Sequence, residues 1–255
     1  MEEKQQHATV NLLQTIGPGA QIIEQKLRNV SQRFRRRVYQ GLTFLLTFVT
    51  YMTYHMNRRP YPIVKNVISV NCTRTVIATG QCHTWAPFTG GGDDTYIFGV
   101  LDFTFMTTYS ISLFLSGYLA QQNEQRSFLV LGMLLTGTST ALFGMIRVLD
   151  VHQLGVFFVI QFVSGIAHST GWPVVMGVMG SWVSTRRSGV FLAVWSSHKL
   201  LGGILGNLLS GTLIKYDWSL AFFVPGDVYC CQRCVLFPNS SSILRWNRTE
   251  RQHST

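Results

Sequence analysis

Residues 189–211, reading GVFLAVWSSHKLLGGILGNLLSG, constrain this chain more than any other stretch. They are apolar over more than the roughly 20 residues that cross a bilayer's hydrocarbon core, yet His198 and Lys199 stand near the middle. A charge at that depth costs about 2.5–3.5 kcal/mol on insertion scales, so it is kept where it faces a pathway or site inside a helix bundle. Gly202, Gly206 and Ser210 recur at every fourth position, with Gly203, Asn207 and Gly211 alongside. That spacing lays one smooth stripe along a helix, against which a second helix can pack closely.

The same device returns along the chain. Residues 41–56 form a first apolar run, 96–120 a second containing one acid, Asp102, 128–149 a third and 154–182 a fourth. Small residues fall four apart in the second (Thr108, Ser112, Ser116, Ala120), the third (Gly132, Thr136, Thr140, Gly144) and the fourth (Gly165, Ser169, Pro173, Gly177). Consecutive striped spans joined by short loops predict a compact all-α membrane bundle. A sixth span should start near Trp218, but after Val224 the pattern fails at Pro225, Gly226 and Asp227, so the sixth helix reads as cut short. The expected organisation is a polar tail over 1–37, a bundle over 38–226 and a divergent polar tail over 227–255.

Charge sets the orientation. Only 13% of residues are charged and the net charge is +10, with the basic residues clustered outside the apolar runs. They therefore read as topology signals and argue against a nucleic-acid partner. Arg33, Arg35, Arg36 and Arg37 precede the first run and hold that end in the cytoplasm; Arg126, Arg186 and Arg187 fall on the same side, whereas Asp150 and His152 fall on the other. No signal peptide is expected, the first run serving as insertion signal. The polar loop over 70–95 then lies in the lumen or outside, where Cys72 and Cys82 are candidates for a disulfide and Asn71-Cys72-Thr73 for glycosylation. The sequons at Asn239 and Asn247 meet a glycosylating compartment only if the tail does. Cys230, Cys231 and Cys234 have no histidine at finger spacing, so no metal site is expected.

The first run ends unusually, passing straight into Asn57, Arg58, Arg59 and Pro60. Two readings stand. Either the arginines mark the membrane surface with their stems snorkelling, or the helix continues to about Val70 and Arg58 lies at mid-depth facing a wet cavity.

Three local patterns carry a resemblance: Tyr54-His55-Met56-Asn57-Arg58-Arg59-Pro60 closing the first span, Thr170-Gly171-Trp172-Pro173 in the fourth, and Arg187-Ser188-Gly189-Val190 leading to Trp195-Ser196-Ser197-His198 in the fifth. Together with residues 82–88 (CHTWAPF) and Val224-Pro225-Gly226, they resemble the organophosphate:phosphate antiporters of the major facilitator superfamily, the animal sugar-phosphate exchangers above all. The resemblance covers about residues 41–226. It implies a transporter and not an enzyme, with no cofactor, in a twelve-helix fold of two six-helix halves of which this is the N-terminal one. Substrate, a phosphorylated sugar or glycerol phosphate exchanging with inorganic phosphate, would sit at mid-membrane between the halves.

On the same resemblance Arg58 matches the first-span arginine that binds phosphate, and the chemistry agrees, because a guanidinium offers phosphate a planar fork and stays charged when dehydrated. In the fifth span the bacterial members place histidine where this chain has Lys199, one residue or about 100° from His198, so both remain candidates. Tyr54 and Tyr109, with Tyr51, could donate hydrogen bonds to substrate; Gly171, Trp172, Pro173 and Trp195 read as packing at a helix bend. Asp102 would balance Arg58, carry a proton, or lie near the outer water. A membrane-bound hydrolase using His168 or His198 is a rival reading, weakened by the lack of a second histidine or acid on the same helical face. A second rival is a transport-inactive half, since a site between halves needs a second copy or a second chain to complete it. Endoplasmic reticulum is the location the resemblance suggests, with plasma membrane and lysosome also open.

Overall fold

The computed structural model of the chain describes residues 32–68, 87–88, 92–122, 125–182 and 188–232, and among these every regular element is an α-helix. In chain order they are α1 (Gln32–Asn57), α2 (Pro60–Ile68), α3 (Gly92–Gln122), α4 (Gln125–Val148), α5 (Leu154–Ser169), α6 (Gly171–Trp182), α7 (Ser188–Ser196) and α8 (His198–Leu213), followed by α9 over residues 220–232. The first span is α1 with α2, the fourth α5 with α6, the fifth α7 with α8. Three stretches, Asp93–Gln122, Ser127–Val148 and Leu154–Gly180, are each long and apolar enough to cross a membrane.

Each interruption has a chemical cause. Pro60 has no N–H to give the carbonyl of Met56, which instead accepts from the amide of Arg59 at 3.2 Å, and the chain then resumes as α2. The first span therefore continues to Ile68, the longer of the two readings left open by the sequence. Pro173 likewise cannot donate to the carbonyl of Ser169, and the hydroxyl of Ser116 on α3 does so at 2.9 Å. The neighbouring carbonyl of His168 accepts from the Tyr54 hydroxyl at 2.6 Å. A bend that frees backbone acceptors in an apolar bundle is tolerated because side chains of two other helices satisfy them.

Most of the stripe positions face inward; in the fourth span Gly165 and Ser169 are buried, Pro173 is half-buried and Gly177 is exposed, and on α3 Ser112 is half-buried. Thr108, Ser116 and Ala120 on α3, Gly132, Thr136, Thr140 and Gly144 on α4, and Gly202, Gly206 and Ser210 on α8 are all buried. Their work is close approach. A Cβ at Gly165 would stand 2.9 Å from the Phe105 carbonyl oxygen on α3, and one at Gly206 would stand 2.8 Å from that of Met56 on α1. Gly202 lies tighter still, against the carbonyl of Met52. Phe88, Leu101, Phe143, Phe157 and Phe222 fill one core, and Tyr51, Tyr54, Met133, Met179, Trp195 and Tyr229 fill a second. The outer face of α3 is the reverse, with Tyr96, Phe103, Phe114 and Tyr118 exposed, a surface suited to lipid or to another helix.

The sixth span departs from its sequence reading. The helix does not stop at Gly226 but runs on to residue 232, with Pro225 and Gly226 buried. Gly226 passes Gly137 of α4 at a distance that leaves no room for a side chain, 3.0 Å from its virtual Cβ to the carbonyl oxygen. Beyond it Tyr229 is buried beside Tyr54, and the Thr53 hydroxyl donates to Gln232. The turn signal Pro-Gly-Asp thus marks a helix crossing, and the packed bundle extends past the boundary expected at 226.

Candidate functional site

Arg58 and Arg59 sit at the break between α1 and α2, and the tight turn sends them to different neighbours. The guanidinium of Arg58 lies over three rings, Phe105 at 4.9 Å, Tyr109 at 5.1 Å and Tyr54 at 5.9 Å, two of them on α3. Such contacts hold a cation in place at about 0.5–2 kcal/mol each without cancelling its charge. Among the described residues no carboxylate lies within ion-pair distance of it. Arg59 instead runs along α8, its stem over Gly206 and its guanidinium over Gly203. Gly206 of the stripe and Gly203 beside it thereby give the arginine room as well as the helix.

Arg58 lines a cavity of about 130 Å³ walled by Asn57 and Tyr61, by Asp102 and Phe105 of α3, by Ser139, Thr140 and Phe143 of α4, by Gln161, Ser164 and His168 of α5, and by Phe222. The volume is enough for several waters or one tetrahedral oxyanion. Asp102 belongs to this wall but does not balance Arg58; its carboxylate takes the Lys65 ammonium of α2 at 2.8 Å. With the acid already paired, the guanidinium remains the cavity's uncompensated charge.

Of the residues expected from the sequence, the structure brings Arg58, Tyr54 and Tyr109 together and leaves His198 and Lys199 elsewhere. The Tyr54 hydroxyl is committed to the His168 carbonyl, so Tyr54 presents its ring, not its oxygen, to Arg58. His198 is fully buried on the α1 side of α8, its Nδ1–H donated to the Trp195 carbonyl at 2.6 Å and its ring centroid 5.2 Å from that of Tyr51 and 5.3 Å from that of His55. Lys199 is exposed, with Nζ 5.5 Å above the Trp172 ring. The 100° between neighbours thus separates a packed imidazole from an exposed ammonium. Trp195 is buried and donates Nε1–H to Thr47 at 3.2 Å, and Gly171 makes room for the Tyr51 hydroxyl, 3.2 Å from its virtual Cβ. Cys72, Cys82 and Asn71 lie outside the described residues. Among the described residues no three metal-ligating side chains gather.

Residues 39–229 match the Major Facilitator Superfamily. The chain belongs to the Major Facilitator Superfamily. Among curated relatives of this superfamily member, "Putative glycerol-3-phosphate transporter 3" of Arabidopsis thaliana is 36% identical over 208 residues, covering 82% of the chain and 40% of the relative. The glucose-6-phosphate exchanger SLC37A2 of Homo sapiens is 35% identical over 209 residues, 78% of the chain and 41% of the relative, and that of Danio rerio is 33% identical over 232 residues, 88% and 45%. The chain spans about 40% of the length of these relatives. This superfamily is one of transporters, and the helical bundle with its apolar spans is a six-helix half of its fold in a multi-pass membrane protein.

Sequence reasoning missed two residues of the cavity wall, Asn57 and Gln161, and it weighed His168 only as a hydrolytic residue. A polar side chain on an otherwise apolar helix face was the available signal for the α5 pair, since Gln161, Ser164 and His168 follow helical spacing. The Lys65–Asp102 pair was invisible because the two stand on different helices.

Proposed function

We propose that the chain forms the phosphate-binding half of an exchanger that swaps a phosphorylated sugar or glycerol phosphate for inorganic phosphate by alternating access. The observation that supports this most is the Arg58 guanidinium, held by three rings inside a membrane bundle without a carboxylate partner among the described residues. A cation kept in apolar surroundings at this cost is accounted for by a guest that periodically neutralises it. The names of the relatives add the chemistry of the guest, a phosphate monoester. His198 and Lys199 belong to the same proposal in a second role: Lys199, exposed above Trp172, meets the phosphate or the opposite half once a second six-helix unit, from another copy or another chain, completes the pathway. The proposed setting is the endoplasmic reticulum membrane.

The experiment is equilibrium binding of labelled phosphate to the chain in lipid nanodiscs, followed by phosphate counterflow in vesicles. Arg58→Lys keeps the charge and loses the fork, so binding should weaken about tenfold or more. Undiminished binding in that variant removes Arg58 from the site. Binding without counterflow would assign the chain the binding half alone.

A further inference from the structure

The residues walling the Arg58 cavity carry three buried polar atoms with no hydrogen-bond partner, Asn57 Oδ1, the Tyr61 hydroxyl oxygen and His168 Nε2; the hydroxyl can donate or accept, whereas the other two have a fixed role. Backbone carbonyls, which only accept, fix what each of those two is. The hydroxyl hydrogen of Thr140 goes to the Thr136 carbonyl at 3.0 Å, so Thr140 Oγ1 meets Asn57 as an acceptor, and the Asn57 amide must turn its NH₂ toward it, at 3.0 Å. That leaves Oδ1, an acceptor, unpaired. His168 Nδ1 lies 2.8 Å from the Ser164 carbonyl oxygen and so carries the proton; Nε2 of the uncharged ring is then a bare acceptor as well. Both residues are 2% exposed. An orphaned buried acceptor costs about 1–3 kcal/mol, and two on one wall of one cavity call for a ligand that brings protons.

We propose that Asn57 Oδ1 and His168 Nε2 are an acceptor pair that reads hydroxyl protons on the guest, so that the cavity takes hydrogenphosphate and hydroxyl-bearing phosphate esters and rejects sulfate. The inference rests on the reading of Arg58 as the anion's main ligand and adds a selectivity to it. Arg58 attracts any oxyanion of suitable size. Hydrogenphosphate also has a P–O–H to give, and a sugar or glycerol phosphate has carbinol O–H groups to give. Sulfate at neutral pH has oxygen lone pairs only, and against two fixed acceptors those repel.

The test is competition against labelled phosphate on the chain in nanodiscs, with sulfate and glycerol phosphate as unlabelled competitors. Glycerol phosphate should displace the label in the same range as phosphate itself, and sulfate should require about a tenfold or greater excess. His168→Leu and Asn57→Leu, accepted only as monodisperse and helical preparations, should weaken phosphate binding and bring sulfate and phosphate together. Equal competition by sulfate and phosphate in the unaltered chain overturns the acceptor pair, and needs no variant to fold. If that equal competition is still abolished by Arg58→Gln, the Arg58 reading survives its loss. Phosphate binding that is absent, or indifferent to Arg58→Gln, overturns both.

Discussion

Gly206→Ala, at the crossing of α8 over α1, should unfold the bundle at a lower temperature although it replaces glycine by a better helix former. In an open helix the change would add up to about 1 kcal/mol. Here the new methyl would stand 2.8 Å from the Met56 carbonyl oxygen and 2.7 and 2.8 Å from Cγ and Cβ of Arg59. A carbon needs about 3.3 Å or more from a carbonyl oxygen, so the helices must part by roughly half an ångström. Backbone of a packed helix cannot swing aside as a side-chain tip can, and overpacking of this kind costs about 1–3 kcal/mol. Gly117→Ala is the control, since nothing lies within 4 Å of its virtual Cβ. Thermal unfolding of the two variants in matched detergent, followed by circular dichroism, should separate them, Gly206→Ala falling by about 2–12 °C while Gly117→Ala holds or rises. Phosphate affinity should fall with the first variant too, because the displaced Arg59 is joined directly to Arg58. Equal melting temperatures for the two would refute the crossing itself, and with it the route by which α8 positions the arginines.

Ser116→Ala should destabilise by about 1–2 kcal/mol by stranding the Ser169 carbonyl, and Pro173→Ala should abolish most of that cost by restoring an N–H donor, a coupling that a double-mutant cycle of denaturation free energies measures directly. Trp195→Phe removes the donor to Thr47 and should cost about 1 kcal/mol in the same assay, while Lys199→Ala, on an exposed residue, should leave stability within about 0.5 kcal/mol. Lys65→Ala frees Asp102 to compete for Arg58; phosphate affinity should drop several-fold, with little change in stability because the pair is partly exposed, and Lys65→Ala with Asp102→Asn should recover it. A double variant that binds no better than Lys65→Ala would show that the acid does not act on the anion.

The bundle was legible because its signals are local. Small residues four apart predict a buried stripe from one helix's own sequence, and on α4 and α8 the positions named are the buried ones. Pro173 foretold a bend, yet a bend alone does not say whether a helix ends. The first span was undecided between stopping at Arg58 and continuing, since what lets it continue is a carbonyl retrieved by the next amide at 3.2 Å, a matter of angles. At Pro225-Gly226 the turn signal misled for a related reason: glycine beside proline is cheap in a turn, but it is equally what a helix needs where it crosses another backbone, here that of Gly137.

The site was less legible because its chemistry depends on which atom is left over. Sequence can nominate Arg58, for a charge in an apolar run demands a reason. It cannot say that Asp102 is taken by Lys65, that Tyr54 commits its hydroxyl to a backbone carbonyl, or that His168 and His198 hold the same tautomer for the same cause, a backbone carbonyl three or four residues back. Each of those bonds removes a donor from the interior and leaves an acceptor. Around a guanidinium that supplies the positive charge, with the Tyr61 hydroxyl as a further donor, two orphaned acceptors make the wall a poorer trap for a bare anion than for one that carries hydroxyl groups. The pairing of one strong cation with orphaned acceptors is therefore the feature to which selectivity answers, and it follows from hydrogen bonds that no single helix's sequence contains.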